Sequence, residues 1–242
     1  MFDLRSASDV HNGGSFSNRM RSRRFVRFAA MLDATFEKPV SIIDFGGTVD
    51  FWRKAGWLGK PGVSITAVNL QGEPGRVENV EVVIGDATNL ADIPDASFDV
   101  AFSNSVIEHL YTLDAQRRMA SEMRRVAKAH WVQTPNFAFP MEPHFHVLGW
   151  QWLPRDVRVR LLRARRCGWR GPCPDLESAR LAVDEVRLMT RREFRAAFPE
   201  SHLWNESWMG LTKSFVAYGG FATTIDGVVV PERHRETSRR AA

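Results

Sequence analysis

Between residues 40 and 133 the chain repeats one pattern: a short apolar run, then Gly, Asn or Asp, then a longer mixed segment. Short continuous apolar runs are typical of strands buried on both faces, and parallel strands need long crossover connections between them. The pattern therefore predicts an α/β fold with a parallel sheet and crossover helices. Five of its strands are predicted at residues 40–45, 63–70, 80–84, 98–103 and 130–133.

Two segments outside these strands have the periodicity of helices. Apolar residues recur near a 3.6-residue period between residues 104 and 129, opposite a row of arginines, which predicts a crossover helix. An amphipathic helix is also predicted before the first strand. Its inward face is expected to carry Phe25, Phe28, Ala29 and Leu32.

The last part of the chain predicts one more helix and two more strands. Thr190 with Glu193 three residues later has the form of a capping box, so a helix should begin there and end near residues 198–199. Residues 202–208 and 213–218 are expected to pair as antiparallel strands across a turn at Met209 and Gly210. These two strands bring the predicted sheet to seven.

Composition argues against disulfide-rich, zinc-binding, secreted and membrane-spanning classes of protein. Cys167 and Cys173 are too few for a disulfide framework and lack the partners of a zinc site. The first residues are polar and acidic, unlike a signal peptide, and no stretch reaches the roughly 18 apolar residues of a membrane helix. We therefore expect a cytoplasmic protein. The formal net charge of +5 permits an anionic partner without requiring one.

The most informative motif is a strand that ends in an acid and a glycine pair: Asp44, Phe45, Gly46 and Gly47. Because glycine has no Cβ, the backbone there can come close to a bound ligand. The Asp44 carboxylate would repel a pyrophosphate but would suit a cation, such as the ammonium group of an amino acid. The loop also lacks the G-x-G-x-x-G pattern of a dinucleotide site, which weakens that alternative.

Further motifs follow in a characteristic order. The series DFGG, VNL, GDA, SFDVAFSNSVIEHL and WVQTPN, over residues 40–136, resembles the class I S-adenosylmethionine-dependent methyltransferases. The resemblance implies a doubly wound, mostly parallel, Rossmann-like sheet of seven strands with the last strand antiparallel. It also implies that S-adenosylmethionine binds across the carboxyl ends of the first strands, where open α/β sheets place their ligands.

The resemblance assigns roles at the methionine and ribose ends of the cofactor. Asp44 and the backbone of Gly46 and Gly47 would hold the methionine end. The family usually has further glycines in this loop, where this chain has Thr48 and Asp50. An acid normally binds the ribose hydroxyls at the end of the second strand, and here Asn69 would bind them with a neutral hydrogen bond.

The resemblance also assigns the adenine end and the floor of the site. Asp86 would accept a hydrogen bond from the adenine amino group, with Ala87 beside it. Ser103 and Asn104 would line the floor near the transferred methyl group.

Methyl transfer needs the acceptor to be held in line and to lose a proton. The candidate catalytic residues are His109, Glu142, His144 and His146. His109 follows the fourth strand, and the other three lie in a Pro- and aromatic-rich loop after the fifth, which we interpret as the acceptor pocket. Glu142, His144 and His146 offer one carboxylate and two imidazoles, and on an extended chain both rings would point to the same side. A further ligand is not evident, so we predict no metal.

Two other acids receive a structural interpretation. Asp50 and Glu108 each lie at the predicted start of a helix, where a carboxylate interacts favourably with the helix dipole. We therefore interpret them as helix-start residues and not as ligands.

The insertion after the fifth strand is rich in arginine and tryptophan. Pro154 suits the first turn of a helix, and Val157, Leu161 and Ala164 are expected to form its apolar face. We interpret this helix as a solvated lid. The alternative is weak contact of residues 150–170 with an anionic surface, either a phosphorylated acceptor or lipid headgroups.

These features predict a single domain. It is divided into an N-terminal helical segment (1–39), a cofactor-binding core (40–136), a lid or acceptor insertion (137–189), a C-terminal helix and strand pair (190–230) and a loose tail (231–242).

The implied activity is transfer of a methyl group to oxygen or nitrogen of a small molecule, such as a sugar, a metabolite or a lipid-linked precursor. We expect no nucleic-acid partner, because residues 103–106 lack the Asn/Asp-Pro-Pro-aromatic run of adenine-amino methyltransferases. Two alternatives remain open: an NAD(P)-dependent Rossmann-type oxidoreductase and a catalytically silent module that keeps the fold.

Overall fold

One eight-stranded sheet organises the protein in a computed structural model that describes residues 16–227. The predicted tail at 231–242 and the start of the N-terminal segment lie outside the described residues. The strands are β1 (Val40–Phe45), β2 (Val63–Asn69), β3 (Gly75–Val77), β4 (Val80–Ile84), β5 (Phe98–Asn104), β6 (Ala127–Pro135), β7 (His202–Trp208) and β8 (Leu211–Gly219).

Six α-helices and three short 3₁₀ turns connect these strands in the described part of the chain. The helices are α1 (Phe16–Thr35), α2 (Val49–Lys54), α3 (Leu113–Val126), α4 (Arg155–Ala164), α5 (Leu176–Asp184) and α6 (Arg191–Ala197). The 3₁₀ turns are Ile107–His109, Trp150–Trp152 and Ile225–Gly227.

The strand order is β3-β4-β2-β1-β5-β6-β8-β7. The five central strands β4, β2, β1, β5 and β6 run parallel, whereas β3, β8 and β7 pair antiparallel with their neighbours. The predicted α/β class with a mostly parallel sheet is confirmed, and all seven predicted strands are present. The count was one short because β3 is three exposed residues at the sheet edge with no apolar pattern.

Helices cover both faces of the sheet, as in a doubly wound fold. Neighbouring residues of β1 point to opposite sides: Ile42 joins the core formed with α1 and α2, and Ile43 joins the core formed with α3 and α6. This alternation explains why successive residues of β1 are apolar, since a core covers each face of the sheet there.

Helix α1 closes the first of these two cores. Phe28 is fully buried, and its ring lies 4.8 Å from that of Phe102 and 5.6 Å from that of Trp131. Leu32 is also buried, and Phe25 and Ala29 are partly buried against the same core. The predicted inward face of this helix is therefore confirmed.

The crossover helix is shorter than predicted. It begins at Leu113, where the Thr112 side chain caps it by accepting from Ala115 N, and β6 begins at Ala127 directly after its end. The sequence suggested helix up to residue 129 because alanine and lysine favour helices. Pairing of Ala127 and Ala129 with β5 overrides that preference.

The insertion builds a small core of its own from the loop after β6 and helices α4 and α5. Pro154 occupies the N-cap position directly before α4, without a side-chain cap. Of the predicted apolar face, Leu161 is partly buried, but Val157 and Ala164 are exposed, and the buried residues are Val159 and Leu162. Two apolar stripes compete on this helix. Packing against α5 and the loop selects the second stripe, and the sequence of the helix alone does not contain that information.

The C-terminal predictions are confirmed. Thr190 and Glu193 form both hydrogen bonds of a capping box at the start of α6. Strands β7 and β8 pair antiparallel, and β8 inserts next to β6.

Among residues 16–227, no helix combines the length and apolar character that crossing a membrane requires.

Candidate active site

The turn between β1 and α2 requires glycine at both of its central positions. Gly46 has a φ of +74°, and a Cβ on it would lie 2.6 Å from a methyl group of Val106. A Cβ on Gly47 would lie 1.7 Å from Oδ2 of Asp44. The Asp44 carboxylate therefore occupies the space that a side chain at residue 47 would fill, and acid and glycine depend on each other.

Asp44 is a buried acid, with 1% of its surface exposed. Its Oδ2 accepts a hydrogen bond of 2.8 Å from Nε1 of Trp52 in α2. Burial raises the pKa of Asp44 to about 7, although the Trp52 hydrogen bond opposes the rise. A cation bound beside it would stabilise the ionised carboxylate, because opposite charges attract strongly where water is excluded.

A cleft of about 730 Å³ opens at this turn, between α1, the start of α2 and the carboxyl ends of β1 and β5. This volume is in the range of small-molecule and cofactor sites. Four of the eight predicted cofactor-binding residues line it: Asp44, Gly46, Gly47 and Asn104.

The other four predicted cofactor-binding residues do not line this cleft. Asn69 Nδ2 donates to the Gly47 carbonyl at 2.9 Å, and the buried Ser103 hydroxyl donates to the Phe45 carbonyl at 3.2 Å, so both fix the backbone of the turn. Asp86 is exposed after β4, with Ala87 next to it. Its Oδ1 accepts from the backbone N–H and the hydroxyl of Thr88, both at 2.8 Å.

An arginine of α1 belongs to the site and was missed in the sequence. Arg24 is buried, and its Nη1 donates to Asn104 Oδ1 at 2.7 Å while its Nε donates to Glu206 at 3.3 Å. The arginine-rich stretch predicts a solvated helix face, and the buried acid that binds Arg24 comes from β7, 182 residues away in the chain. Arg24 thus fixes the amide of Asn104 at the cleft.

The acceptor side brings together three of the four predicted catalytic residues. The rings of His109 and His144 are perpendicular, with centroids 4.9 Å apart. His144 Nδ1 lies 2.5 Å from Glu142 Oε1, and the other oxygen of Glu142 accepts from the backbone N–H groups of His144 and Phe145, each at 2.7 Å. Glu142 is therefore a buried, fully oriented partner of the His144 ring.

His146 does not join this group in the way the sequence suggested. Its ring packs against Trp169, with centroids 5.5 Å apart, whereas the His144 ring contacts His109. The extended chain that a metal site of Glu142, His144 and His146 would require is not present. Residues 143–145 form a turn, His146 N donates to the Glu142 carbonyl at 3.0 Å, and His146 has a φ of +48°.

Glu108 also differs from its prediction. It lies in the 3₁₀ turn after β5, but it is fully buried and is not a solvated helix-start acid. Its Oε2 accepts from the Thr134 hydroxyl at 3.0 Å, and burial raises the pKa of Glu108 to about 7. Asp50, in contrast, lies in the first turn of α2, as predicted.

The two imidazoles have opposite electrostatic surroundings. Burial, with a further contribution from His144, lowers the pKa of His109 to about 4. Burial alone would lower the pKa of His144 as well, but the Glu142 carboxylate raises it above its ordinary value. His109 is thus a neutral imidazole at neutral pH, next to an acid–imidazole pair.

Comparison with known proteins identifies the core of this fold. Residues 56–130 match the family model described as a methyltransferase domain. Two uncharacterized proteins of Mycobacterium tuberculosis, MT1557 of strain CDC 1551 and Rv1509 of strain H37Rv, are each 33% identical over 73 residues. These residues are 30% of this chain and 24% of each relative, so the likeness spans about a quarter of those proteins.

Solved structures resemble the chain in fold. The crystal structure of a possible exported protein from Bordetella parapertussis has a TM-score of 0.51 at 13% identity and covers 84% of this chain and 67% of that one. A SAM-dependent methyltransferase from Aquifex aeolicus has a TM-score of 0.44 at 14% identity and covers 83% of this chain and 95% of that one.

The family match identifies residues 56–130 as a methyltransferase domain. The matched segment begins after the glycine turn and ends in β6. Asp44, Gly46 and Gly47 therefore lie outside the matched segment, and their roles are inferred from the geometry of this chain.

The buried acid makes the stability of the protein depend on pH. The folded pKa of Asp44 is about 7 and its ordinary value is 3.8, so the unfolded chain ionises first as pH rises. Wild-type stability should therefore fall between about pH 4 and 7, at about 1.4 kcal/mol per pH unit at most. Asp44→Asn should lack this loss and be more stable than wild type at pH 8, by up to about 4 kcal/mol.

Urea unfolding of both proteins at pH 5 and pH 8 measures this difference. The advantage of the variant should be larger at pH 8 than at pH 5. An equal difference at both pH values would show that Asp44 is ionised in the folded protein throughout this range.

Proposed function

We propose that the protein transfers the methyl group of S-adenosylmethionine to oxygen or nitrogen of a small-molecule acceptor. The observation that carries this proposal is the buried Asp44 carboxylate on its glycine turn, facing a cleft of about 730 Å³ in a methyltransferase fold. The sulfonium and ammonium groups make the cofactor cationic at this end, and a buried acid is complementary to such a ligand.

The cleft also offers a partner for the opposite charge of the amino-acid end. Arg21 and Lys54 are the arginine and lysine side chains among the described lining residues. Lys54 forms an ion pair of 2.7 Å with Asp50. The proposal therefore assigns the cofactor carboxylate to Arg21 of α1 and the ammonium group to Asp44.

The nucleoside end would extend from the glycine turn toward β2 and β4. In the sheet β2 lies next to β1 and β4 lies next to β2, so residues that follow these strands succeed one another along its carboxyl edge. Asn69 would bind the ribose hydroxyls, and the exposed Asp86 beside Ala87 would accept from the adenine amino group. Ser103 and Asn104 would form the floor below the transferred methyl group.

Methyl transfer is a displacement at carbon. The acceptor atom forms a bond to the methyl carbon as the bond to sulfur breaks, the electron pair stays on sulfur, and the acceptor releases a proton. The protein must hold the two reactants in line and assist the release of that proton. His109, His144 and Glu142 are proposed to hold the acceptor, because they lie together, follow β5 and β6, and come after Val106, which lines the cleft.

Two other functions were open on the sequence alone. The match to a methyltransferase domain favours methyl transfer over a nicotinamide-dependent oxidoreductase. A catalytically silent module would bind the cofactor without transferring its methyl group, so an activity measurement separates it from the proposed enzyme.

Calorimetric titration of S-adenosylmethionine tests the cofactor site. Asp44→Ala should abolish binding, because the ammonium group loses its buried counter-charge, and Asp86→Ala should weaken it about 10-fold, the effect of one lost hydrogen bond to a charged group. Asp33→Ala is a control for removal of an acid at the cleft rim, and it should keep the wild-type affinity. Unchanged affinity in both site variants would overturn the assignment.

Turnover tests the acceptor side. His144→Ala should lower methyl transfer about 10²-fold or more while cofactor affinity stays unchanged, since general acid–base groups contribute about that much. His146→Ala is the matched comparison: it removes an imidazole two residues away that contacts Trp169. Transfer of the labelled methyl group to small molecules from a cell extract provides the readout. Equal rates in wild type and His144→Ala would place the acceptor pocket elsewhere.

The localisation and the surface contact remain proposals. We propose a cytoplasmic protein whose segment 150–170 makes weak contact with an anionic surface. Fewer side chains can make this contact than the sequence suggests. Trp150 is buried, and Arg155 and Arg170 form ion pairs with Asp184 and Glu185. Trp152 and Trp169 are 54% and 47% exposed and remain available.

Flotation with anionic vesicles measures this contact. Binding should be weak, should decrease with salt and should be reduced in Trp152→Ala, because the contact combines screened charge with the two exposed tryptophans. Absence of wild-type flotation even at low salt would remove the proposal.

A further inference from the structure

We propose that Glu108, His109 and His144 form a binding site for one divalent first-row transition-metal ion. Each of these side chains offers one ligand atom, and the three atoms all lie within 4.8 Å of one another. Glu108 and His109 come from the 3₁₀ turn after β5, and His144 comes from the loop after β6. Two strands that are neighbours in the sheet thus supply all three ligands.

An unpartnered carboxylate oxygen points to a cation at this site. Glu108 is 0% exposed, and only its Oε2 has a partner, the hydroxyl of Thr134. Among the described residues, Oε1 has no hydrogen-bond donor. A buried oxygen of this kind costs free energy when it has lost water and gained no partner, and a metal ion next to the two imidazoles would supply one.

The surroundings of His144 have the form of a metal-ligand environment. Glu142 engages Nδ1 of His144 at 2.5 Å, which leaves Nε2 as the atom that can bind an ion. Carboxylates that hold the distal ring nitrogen of a ligating histidine in this way fix its tautomer and orientation. Glu142 is itself held by two backbone N–H groups, so the geometry is set before any ion binds.

The donor set identifies the class of ion. Two imidazoles with one carboxylate and no thiolate are typical of zinc, manganese, iron or cobalt in the divalent state. Three protein ligands also leave coordination positions open, as in catalytic metal sites.

The structure also explains why the sequence predicted no metal. The three residues considered there were Glu142, His144 and His146. In the structure Glu142 lies in the second layer behind His144, and His146 contacts Trp169. The two missing ligands are Glu108 and His109, which precede them by more than 30 residues.

The position of the site suggests the role of the ion, and this part rests on the proposed function. Val106, two residues before Glu108, borders the cleft and lies against Gly46 of the cofactor turn. An acceptor hydroxyl bound at an open position would lose its proton to solvent more readily, because the cation stabilises the alkoxide. The alkoxide oxygen then bonds to the methyl carbon, and the electron pair of the broken C–S bond remains on sulfur. The acceptor class is accordingly a hydroxyl compound.

Metal binding by itself can be measured without cofactor or acceptor. Protein stripped with a chelator is titrated with Zn²⁺ by calorimetry and with Co²⁺ by its visible absorption. Wild type should bind one ion per chain. His109→Ala and His144→Ala should each weaken binding at least about 10-fold, and Glu142→Gln should weaken it about 10–100-fold by loosening the His144 ring.

His146→Ala is the matched control, because it removes an imidazole of the same loop that is not a proposed ligand, and it should keep one ion per chain. Glu108→Gln should also lose the ion. If its buried position prevents that variant from folding, as seen by circular dichroism, the two histidine variants decide the question. Failure of wild type to bind either ion, or equal binding by His109→Ala and His144→Ala, would overturn the site.

The two proposals fail in distinguishable ways. An ion that binds and is lost in the ligand variants, in a protein that transfers no methyl group, supports the metal site and removes the proposed activity. Methyl transfer that proceeds at the wild-type rate in chelator-stripped protein, with no ion bound, supports the activity and removes the metal.

Discussion

The contact between the Asp44 carboxylate and the backbone of Gly47 is the constraint on which the rest of the site depends. A buried acid is unfavourable unless its oxygens are engaged, and here one oxygen accepts from Trp52 while the carboxylate fills the space above Gly47. Trp52 lies on α2, so the helix that follows the turn also holds the acid. Asn69 holds the same turn from β2 through the Gly47 carbonyl. The turn, the helix and two strands therefore form one unit, and its open side borders the cleft.

Helix α1 converts this open side into a defined cavity. It packs on the sheet through Phe28 and contributes Arg21 to the wall of the cleft and Arg24 to a buried network with Asn104 and Glu206. That network joins the first helix, the end of β5 and strand β7, which are distant in sequence. Since the segment matched by the family model begins only at residue 56, the cavity is completed by parts of the chain that the family likeness does not cover.

The sequence predicted the features that depend on local pattern. Continuous apolar runs identified the central strands, and the acid with its glycine pair identified a turn that borders the cleft, because in both cases neighbouring residues carry the signal. It failed where a distant partner decides. Packing against α5 selects which stripe of α4 is buried, pairing with β5 turns Ala127 and Ala129 into strand, and Glu206 draws Arg24 out of solvent. Glu108 is the same case: its position suggested a helix-start acid, and burial under the loop after β6 gives it a different environment.

The acceptor side follows from strand order once that order is known. Strands β5 and β6 are parallel neighbours, with Asn104 opposite Gln133, so the segments that leave them emerge at the same edge of the sheet. Glu108 and His109 leave β5 within a few residues, and His144 returns over them because the 142–146 segment turns back on itself. Val106 links this group to the glycine turn by packing on Gly46. Val106 thus links the proposed cofactor half of the site to the proposed acceptor half, and a displacement of the β5 loop would move both the acid–imidazole cluster and the wall of the cleft.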